Sequence, residues 1–221
     1  MNELLANLDW LEIGQACLDT LTMLALALGF TVALGLPLGV LLYLTGKQQM
    51  HEKPGFYRAA SALVNMLRSL PFIILLIVMI PLTTLLTGTS LGVAGAIPPL
   101  VAGCTPFFGR LVETALREVD RGLVEATQAM GASTWQIIWH TLLPEARTGL
   151  IAAVTVTAIV LVDYTAMAGV IGGGGLGDLA IRFGYQRFQT DVMVVTVALL
   201  ILLVQALQMS GDRLVVRYSR R

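Results

Sequence analysis

Two ionisable residues, Asp163 and Arg68, lie within long apolar stretches of the sequence. A carboxylate at the centre of a hydrocarbon layer costs at least about 2.5 kcal/mol on insertion scales, and such groups usually face a cavity or a protein partner. One interpretation is that Asp163 faces a pathway through the protein or a subunit interface, near Arg68. The other is that Asp163 is protonated and bonded to hydroxyl groups of a neighbouring helix.

Other residues that could support chemistry lack the necessary partners. His51 and His140 are far apart and have no carboxylates at metal-ligand spacing, so no metal site is predicted. Cys17 and Cys104 are isolated, which indicates small apolar side chains. The run 172–177 contains a formal G-x-G-x-x-G, but it follows an apolar helix, so it predicts a flexible turn and no dinucleotide site. No paired carboxylates, HExxH motif or Ser/His/Asp set predicts an enzyme.

The composition indicates the environment in which these residues lie. Of the 221 residues, 56% are hydrophobic and 13% are charged, and the mean hydropathy is +0.79. Soluble domains carry about 25% charged residues, so the sequence predicts an integral membrane protein. The formal net charge of zero disfavours a nucleic-acid partner, because there is no surplus of cations to neutralise phosphates.

Five apolar stretches are long enough to cross a hydrocarbon core, which needs about 20 helical residues. They predict an all-α fold, a polytopic bundle of five transmembrane helices in a single membrane domain covering residues 1–221. Prolines within the spans indicate kinked helices, and Gly35 and Gly39 have the spacing that permits close helix contact, which together favour a bundle that moves. The predicted spans are 19–45, 59–84, 91–112, 148–170 and 191–211.

The distribution of cations predicts the orientation of the bundle. Cytoplasmic loops of membrane proteins are enriched in Lys and Arg. An outside N-terminus and a cytoplasmic C-terminus leave only Arg182 and Arg187 outside and place the other loop cations in the cytoplasm. These cytoplasmic cations are Lys47, Lys53, Arg58, Arg110, Arg117, Arg121, Arg147, Arg213, Arg217, Arg220 and Arg221.

The long cytoplasmic loop, residues 113–147, has the clearest local signals. Ser133 can cap a helix, and Gln136 completes a capping box three residues later. Gly131 fits the position just after a helix end, where a left-handed backbone is needed, and Pro144 is expected to stop the next helix. We therefore predict two short helices joined by a glycine-dependent bend. A competing interpretation is an interfacial helix that rests its larger side chains on lipid headgroups, namely Trp135, Ile138, Trp139 and Leu142.

The segment 125–131, Glu-Ala-Thr-x-x-x-Gly, and the Leu-Pro pair at 143–144 resemble the EAA loop of ABC-importer membrane subunits. The usual pattern of that family is E-A-A-x-x-x-G, nine residues, and then I-x-L-P. This chain has Thr127 in place of the second alanine and Thr141 in place of the isoleucine. The resemblance implies that coupling helices dock on a cytoplasmic ATPase through Glu125, Ala126, Gly131, Ser133, Leu143 and Pro144.

Further segments are similar to the methionine-uptake permeases of that family, from about residue 20 to residue 217. The resemblance, and not the composition or the spacing, is what implies methionine as the solute. The segments that carry it are 68–76, 88–92, 129–132, 142–146, 174–177 and 211–213.

The resemblance implies a permease subunit in the bacterial inner membrane that moves its solute by alternating access. The implied partners are a second copy of the chain, two ATPase subunits and an extracytoplasmic substrate-binding protein. ATP and Mg would be used by the ATPase, because this chain lacks the G-x-x-x-x-G-K-[ST] motif and is expected to hold no cofactor. Asp163 and Arg68 are the candidate pathway residues.

Two alternatives stay open from the sequence. A permease for another small amino acid or an amine would share the scaffold and differ in its pathway residues. An ion-coupled secondary carrier would be expected to show internal repeats and several intramembrane ionisable groups. The sequence shows no clear repeat and only Asp163 and Arg68 as such groups, which favours the ATP-driven importer.

Overall fold

The computed structural model describes residues 9–219, and all regular secondary structure in that range is helical. The predicted cytoplasmic cations Arg220 and Arg221 lie outside the described residues. The helices are α1 (Trp10–Thr45), α2 (Pro54–Ser69), α3 (Phe72–Val78), α4 (Ile80–Thr87), α5 (Gly92–Arg117), α6 (Arg121–Ala129), α7 (Thr134–Ile137), α8 (Leu143–Glu145), α9 (Arg147–Val170), α10 (Gly175–Leu179) and α11 (Thr190–Tyr218). Two π-helical turns, Ile138–Leu142 and Ala180–Tyr185, follow α7 and α10.

Within residues 9–219, four helices are long and apolar enough to cross a membrane: α1, α5, α9 and α11. They correspond to four of the five predicted spans. Helix α1 begins nine residues before its predicted start at 19, because the Asp9 carboxylate accepts hydrogen bonds from the amides of Leu11 and Glu12 at 2.9 and 3.2 Å. The charge-free interval therefore covered most of the helix and left out its first turns, which contain Glu12 and precede Asp19.

Three shorter helices, α2, α3 and α4, cover the predicted span 59–84, so the chain is broken there. Leu70 precedes Pro71 and is extended, with φ −75° and ψ 128°, because the ring of a proline disfavours helical backbone in the residue before it. Helices α2 and α3 consequently meet at an angle of 100°. This bent pair is the candidate for a fifth, broken crossing or a re-entrant loop.

The boundaries of the loop 113–147 also differ from the prediction. Helix α5 continues to Arg117, so the first residues of the predicted loop belong to the transmembrane helix. Pro144 does not stop the helix that begins at Thr134, because it occupies the first turn of α8, where a proline needs no amide hydrogen. The chain instead turns at Ala146, immediately before α9.

Helices α1 and α5 approach each other closely through glycines, as the spacing of Gly35 and Gly39 predicts. A Cβ atom on Gly35 would lie 3.2 Å from the Thr105 carbonyl oxygen, and one on Gly39 would meet the side chain of Val112. Any larger residue would push the two backbones apart. This contact runs toward the end of the bundle that carries α6 and α7, which we call the coupling end after the predicted role of that loop.

The loops gather at two opposite ends of the bundle. At one end, the turn after α1 contacts the α5–α6 region through Arg121 and Gln48, and Arg147 donates a 3.1 Å hydrogen bond to the Tyr218 carbonyl of α11. At the other end, Arg182 pairs with Glu12 at 3.2 Å. The segments that the cation distribution assigned to one side thus share one end of the structure.

Candidate functional site

The bend between α6 and α7 is a Schellman turn followed by a capping box. Gly131 has φ +82°, and its amide donates to the Gln128 carbonyl at 2.9 Å, while the amide of Ala132 donates to the Thr127 carbonyl at 3.3 Å. The Ser133 amide donates to Gln136 Oε1 at 2.8 Å, and the Gln136 amide donates to Ser133 Oγ at 3.4 Å. The predicted pair of short helices with a glycine-dependent bend is confirmed.

The two short helices bury one face and present the other. The buried residues, Val124, Ile137, Ile138 and Leu142, pack with the C-terminal half of α5 in one hydrophobic cluster. This burial holds the bend firmly against the transmembrane bundle.

The opposite face of the bend is an exposed surface rich in large apolar side chains. Met130, Trp135 and Trp139 are 79%, 68% and 50% exposed, and the two indole rings meet edge to face with centroids 5.6 Å apart. Exposed aromatic and methionine side chains grouped in this way are typical of protein-docking surfaces. The residues predicted for ATPase contact lie along the same loop, with Glu125, Ala126, Gly131, Ser133 and Pro144 exposed and Leu143 half-buried.

Residues of the turn after α1 brace the two short helices. Arg121 donates to the main-chain and side-chain oxygens of Gln48, at 2.8 and 3.1 Å. His51 Nε2 lies 2.9 Å from the Thr134 hydroxyl at the start of α7. A push on either short helix would therefore act on the end of α1 as well as on α5.

The two departures from the EAA pattern lie against each other. The Thr127 hydroxyl donates to the Leu123 carbonyl at 2.7 Å. The Thr141 hydroxyl lies 3.4 Å from the Thr127 hydroxyl. Thr141 is buried, so a hydroxyl at that position needs a polar neighbour. The two threonines thus form a polar contact where the usual residues would make an apolar one.

A buried carboxylate links α2 to α5 near the coupling end. We call Tyr57, Ser61, Arg110, Glu113 and Arg117 the Glu113 cluster. Glu113 is 2% exposed; it pairs with Arg110 at 2.5 Å and with Arg117 at 2.7 Å, and it accepts a 3.0 Å hydrogen bond from the Tyr57 hydroxyl. Arg110 also donates to Ser61 on α2.

The Glu113 cluster was not predicted from the sequence, although the spacing of its charged residues on α5 is one sign of it. Arg110 and Arg117 lie three residues before and four residues after Glu113, which is the spacing of ion pairs on a helix. The burial of Glu113 and its contact with Tyr57, 56 residues away, depend on the packing of α2 and could not be read from that spacing.

The Arg68 cavity lies where α2 breaks into α3. It has a volume of about 250 Å³ and is lined by Leu67, Arg68, Leu70, Phe72, Leu75, Gly103, Phe107 and Tyr164. The rings of Phe72 and Tyr164 stack with centroids 4.1 Å apart, and the Arg68 guanidinium lies 5.7 Å from the centre of the Phe107 ring. The cavity therefore combines one cation with three aromatic rings.

Asp163 faces a different cavity from Arg68. Asp163 is exposed and lines a cavity of about 320 Å³ between α9 and α11, together with Val204 and Gln205. Because successive residues of a helix differ by about 100° in direction, it is Tyr164 and not Asp163 that lines the Arg68 cavity. No salt bridge joins Asp163 to Arg68 in the part of the chain that the structure describes.

The glycine run 172–177 turns the chain from α9 into α10. Gly172, Gly174 and Gly175 have φ between +78° and +85°, and the amide of Leu176 donates to the Thr20 hydroxyl of α1 at 2.8 Å. Helix α9 precedes the run, as the sequence indicated. Within residues 9–219, no group of three or more His, Cys, Asp or Glu residues lies close enough together to hold a metal ion.

Comparisons with known proteins agree with these features. Residues 35–221 match the family model described as the binding-protein-dependent transport system inner membrane component. The chain is 50% identical over 203 residues to a probable D-methionine transport system permease protein of Vibrio cholerae, covering 92% of this chain and 90% of the relative. It is 45% identical to the methionine import system permease protein of Bacillus subtilis over 206 residues, 93% of each chain.

Solved structures show the same similarity in three dimensions. A chain of the inward-facing MetNI methionine ABC transporter superposes with a TM-score of 0.93 at 45% identity, covering 95% of this chain and 97% of that one. An amino acid ABC transporter solved with histidines superposes with a TM-score of 0.75 at 17% identity, which shows a shared fold.

Proposed function

Because the chain belongs to the family of binding-protein-dependent transport system inner membrane components, we propose that it is the permease subunit of a bacterial ABC importer for methionine. It is a multi-pass inner-membrane protein and the membrane subunit of its transporter, not the ATPase. The whole chain forms a single permease domain. The assignment of methionine as the solute rests on relatives named as methionine permeases, one of which is 50% identical over 92% of this chain.

The observation that carries the proposal is the rigid bend at Gly131. A capped and buried pair of helices offers Met130, Trp135 and Trp139 to solvent at one end of the bundle. An interfacial lipid helix would also expose aromatic rings, but it would not need a Schellman turn braced by Arg121 and His51. Docking on a second protein accounts for both the exposed rings and the firm support beneath them.

The assembly then works by moving the coupling loop. Two copies of the chain line the pathway, and each coupling loop, through Glu125, Ala126, Gly131, Ser133, Leu143 and Pro144, contacts one ATPase subunit. ATP and Mg bind in the ATPase, and closure of the ATPase dimer pushes α6 and α7. The buried contacts of the loop pass this movement to α5, and the Glu113 cluster passes it to α2.

The orientation follows from the cations at the coupling end. With the coupling loop in the cytoplasm, Lys and Arg are concentrated on the cytoplasmic side, the C-terminus is cytoplasmic and the N-terminus is outside. A substrate-binding protein then delivers methionine at the opposite end. Arg68 and Asp163 face the solute pathway or the interface between the two copies, each from its own cavity.

Co-purification and transport test the proposal together. The chain is purified with its ATPase subunits, reconstituted in proteoliposomes, and assayed for ATP-driven uptake of labelled methionine. Gly131→Pro is expected to abolish ATPase co-purification and uptake, because the ring of proline fixes φ near −65° and Gly131 has φ +82°.

Gly131→Asn is the matched control, since asparagine also adopts the left-handed backbone just after a helix end. It is expected to retain uptake. Methionine uptake that needs no ATPase and follows an ion gradient would contradict the proposal and favour a secondary carrier. ATP-driven uptake of an amine or another amino acid, with none of methionine, would refute only the assignment of the solute.

A further inference from the structure

The Arg68 cavity has the chemistry of a binding site for an amino acid with an apolar side chain. We propose that it binds methionine during transport: the Arg68 guanidinium takes the carboxylate, and Phe72, Phe107 and Tyr164 take the side chain. This inference rests on the proposed function and names the residues that recognise the solute within the permease. The site is made by one chain, so the transporter holds one in each copy.

The cation of the cavity has no anionic partner in the part of the chain that the structure describes. Arg68 is exposed, and among the described residues it forms no salt bridge; its charge lies over the face of Phe107. The guanidinium has five N–H donors in a fork that fits a carboxylate with two parallel hydrogen bonds. A bound carboxylate would fill the role that Glu113 fills for Arg110 and Arg117.

The position of Arg68 separates it from the cytoplasmic surface. Helix α2 has 16 residues, and at a rise of about 1.5 Å per residue its last turn lies about 22 Å from its start at the coupling end. The cavity lies at the break of the candidate fifth crossing. A cation without an acidic partner among the described residues is costly there unless it faces water or a ligand, which argues for a function of the cavity.

The aromatic wall suits a thioether side chain. The rings of Phe72 and Tyr164 stack on each other and line the cavity, and contacts of sulfur with aromatic rings, often at the ring edge, are favourable. Gly103 keeps this space open, because a Cβ atom there would lie 3.3 Å from the Phe72 ring and 3.5 Å from the Tyr164 ring.

The end of α2 offers acceptors for the ammonium group. The last carbonyl groups of a helix have no partner within it, and Pro71, which follows the end of α2, has no amide hydrogen to donate to them. Leu67, Arg68 and Leu70, from this last turn, line the cavity. The Leu67 carbonyl accepts a 3.4 Å hydrogen bond from the Leu70 amide, so the carbonyls of Arg68 and Ser69 are the acceptors proposed for the ammonium group.

The residues that line the cavity distinguish it from the cavities beside Asp163 and Gly131. Its volume of about 250 Å³ lies just below the range of about 300–1,000 Å³ that is usual for drug-sized ligands. The cavity beside Asp163 has an acid and no cation, so it would repel a carboxylate. The cavity at Gly131 lies on the coupling surface.

Photolabelling tests the proposal on the reconstituted permease–ATPase complex. A diazirine analogue of methionine is bound, irradiated, and located by peptide mass spectrometry, after ATP-driven methionine uptake has been confirmed on the same complex. We expect label on the peptides of Phe72, Phe107 or Tyr164. Excess unlabelled methionine is expected to suppress it, and methioninol, which lacks the carboxylate, is not.

Substitutions at the cavity provide the second readout. Arg68→Gln is expected to lower labelling about tenfold or more, because it removes a charged hydrogen bond, and Arg68→Lys to lower it less. Gly103→Leu, which fills the cavity, is expected to abolish labelling while ATPase co-purification persists. Arg213→Gln, on the cytoplasmic part of α11, is the control and is expected to label like the wild type.

The outcomes separate this inference from the proposed function. Uptake with label confined to other helices, or equal labelling of the wild type and Arg68→Gln, would overturn the binding site and leave the importer intact. Equal competition by methioninol would also overturn it. Absence of ATP-driven methionine uptake would refute the proposed function, and the methionine site would be refuted with it.

Discussion

The Glu113 cluster and the Arg68 cavity both contain arginines on or against α2, but the surroundings of these arginines differ. In the Glu113 cluster, Arg110 and Arg117 share a carboxylate that is 2% exposed, and Tyr57 completes its hydrogen bonding. In the Arg68 cavity, the cation lies over the face of Phe107 and forms no salt bridge with any residue in the described range 9–219. Opposite charges that pair within the chain hold two helices together, whereas a cation without an acidic partner can bind an anionic group of a solute.

The difference extends to the backbone. The Glu113 cluster lies along continuous helices, so it can pass a displacement of the coupling loop to α2 without changing shape. The Arg68 cavity lies at the 100° break between α2 and α3, where the main-chain groups freed by Pro71 are available to a ligand. The four predictions that follow test this contrast.

The largest effect is expected from Glu113→Ala. It leaves two arginines without their buried acid, and breaking a buried ion pair in this way costs about 3 kcal/mol. Thermal unfolding of the purified transporter in detergent measures the loss of stability. Glu118→Ala, on an exposed residue five positions further along, is the control and is expected to change the free energy of unfolding by less than about 0.5 kcal/mol. Equal effects of the two variants would refute the role of the cluster in joining α2 to α5.

Arg68→Gln should behave in the opposite way. Since Arg68 is exposed and forms no salt bridge among the described residues, the free energy of unfolding is expected to change by less than about 0.5 kcal/mol. Methionine uptake is nevertheless expected to fall about tenfold or more. If the same unfolding assay showed a loss as large as that of Glu113→Ala, Arg68 would be a structural residue and the contrast would fail.

A smaller effect is expected from Gly131→Ala at the coupling surface. An alanine forced into the left-handed region costs about 1–2 kcal/mol, and Gly131 has φ +82°. The yield of co-purified ATPase is expected to fall, because this cost destabilises the bend that contacts the ATPase. Gly55→Ala introduces the same methyl group into a helix with open space around it. A similar loss of co-purified ATPase in that variant would mean that the left-handed backbone of Gly131 is not the cause.

The smallest effect is expected at the threonine pair beneath the coupling surface. Thr127→Ala and Thr141→Ile each restore one residue of the EAA pattern, and each alone removes half of a polar contact. The double variant is expected to be more stable than the sum of the single changes by about 0.5 kcal/mol. Strict additivity in a double-mutant cycle of unfolding would show that the two hydroxyls do not interact.

The coupling loop could be predicted from the sequence because its signals are local. A glycine just past a helix end, and a serine three residues before a glutamine, each specify a backbone geometry within one turn. The four long helices could be predicted for a similar reason, since the length of an apolar stretch alone decides whether it can cross a membrane.

The centre of the bundle could be predicted only in part. Leu70-Pro71 contained a signal for a break, but the 100° angle and the cavity behind it depend on how α3 packs against Phe107 and Tyr164. The cavity that Asp163 lines and the partners of Glu113 could not be predicted for the same reason. Residues separated by many tens of positions meet only through packing, and no local pattern encodes those contacts.

The ratio of ATP hydrolysed to methionine imported tests the central claim most directly, that coupling and solute recognition lie in separate regions. Both rates are measured on the same proteoliposomes, with the substrate-binding protein present. For Arg68→Gln, ATP hydrolysis is expected to persist while uptake falls, so the ratio rises about tenfold or more. A proportional loss of both rates, with the ratio unchanged, would contradict the account.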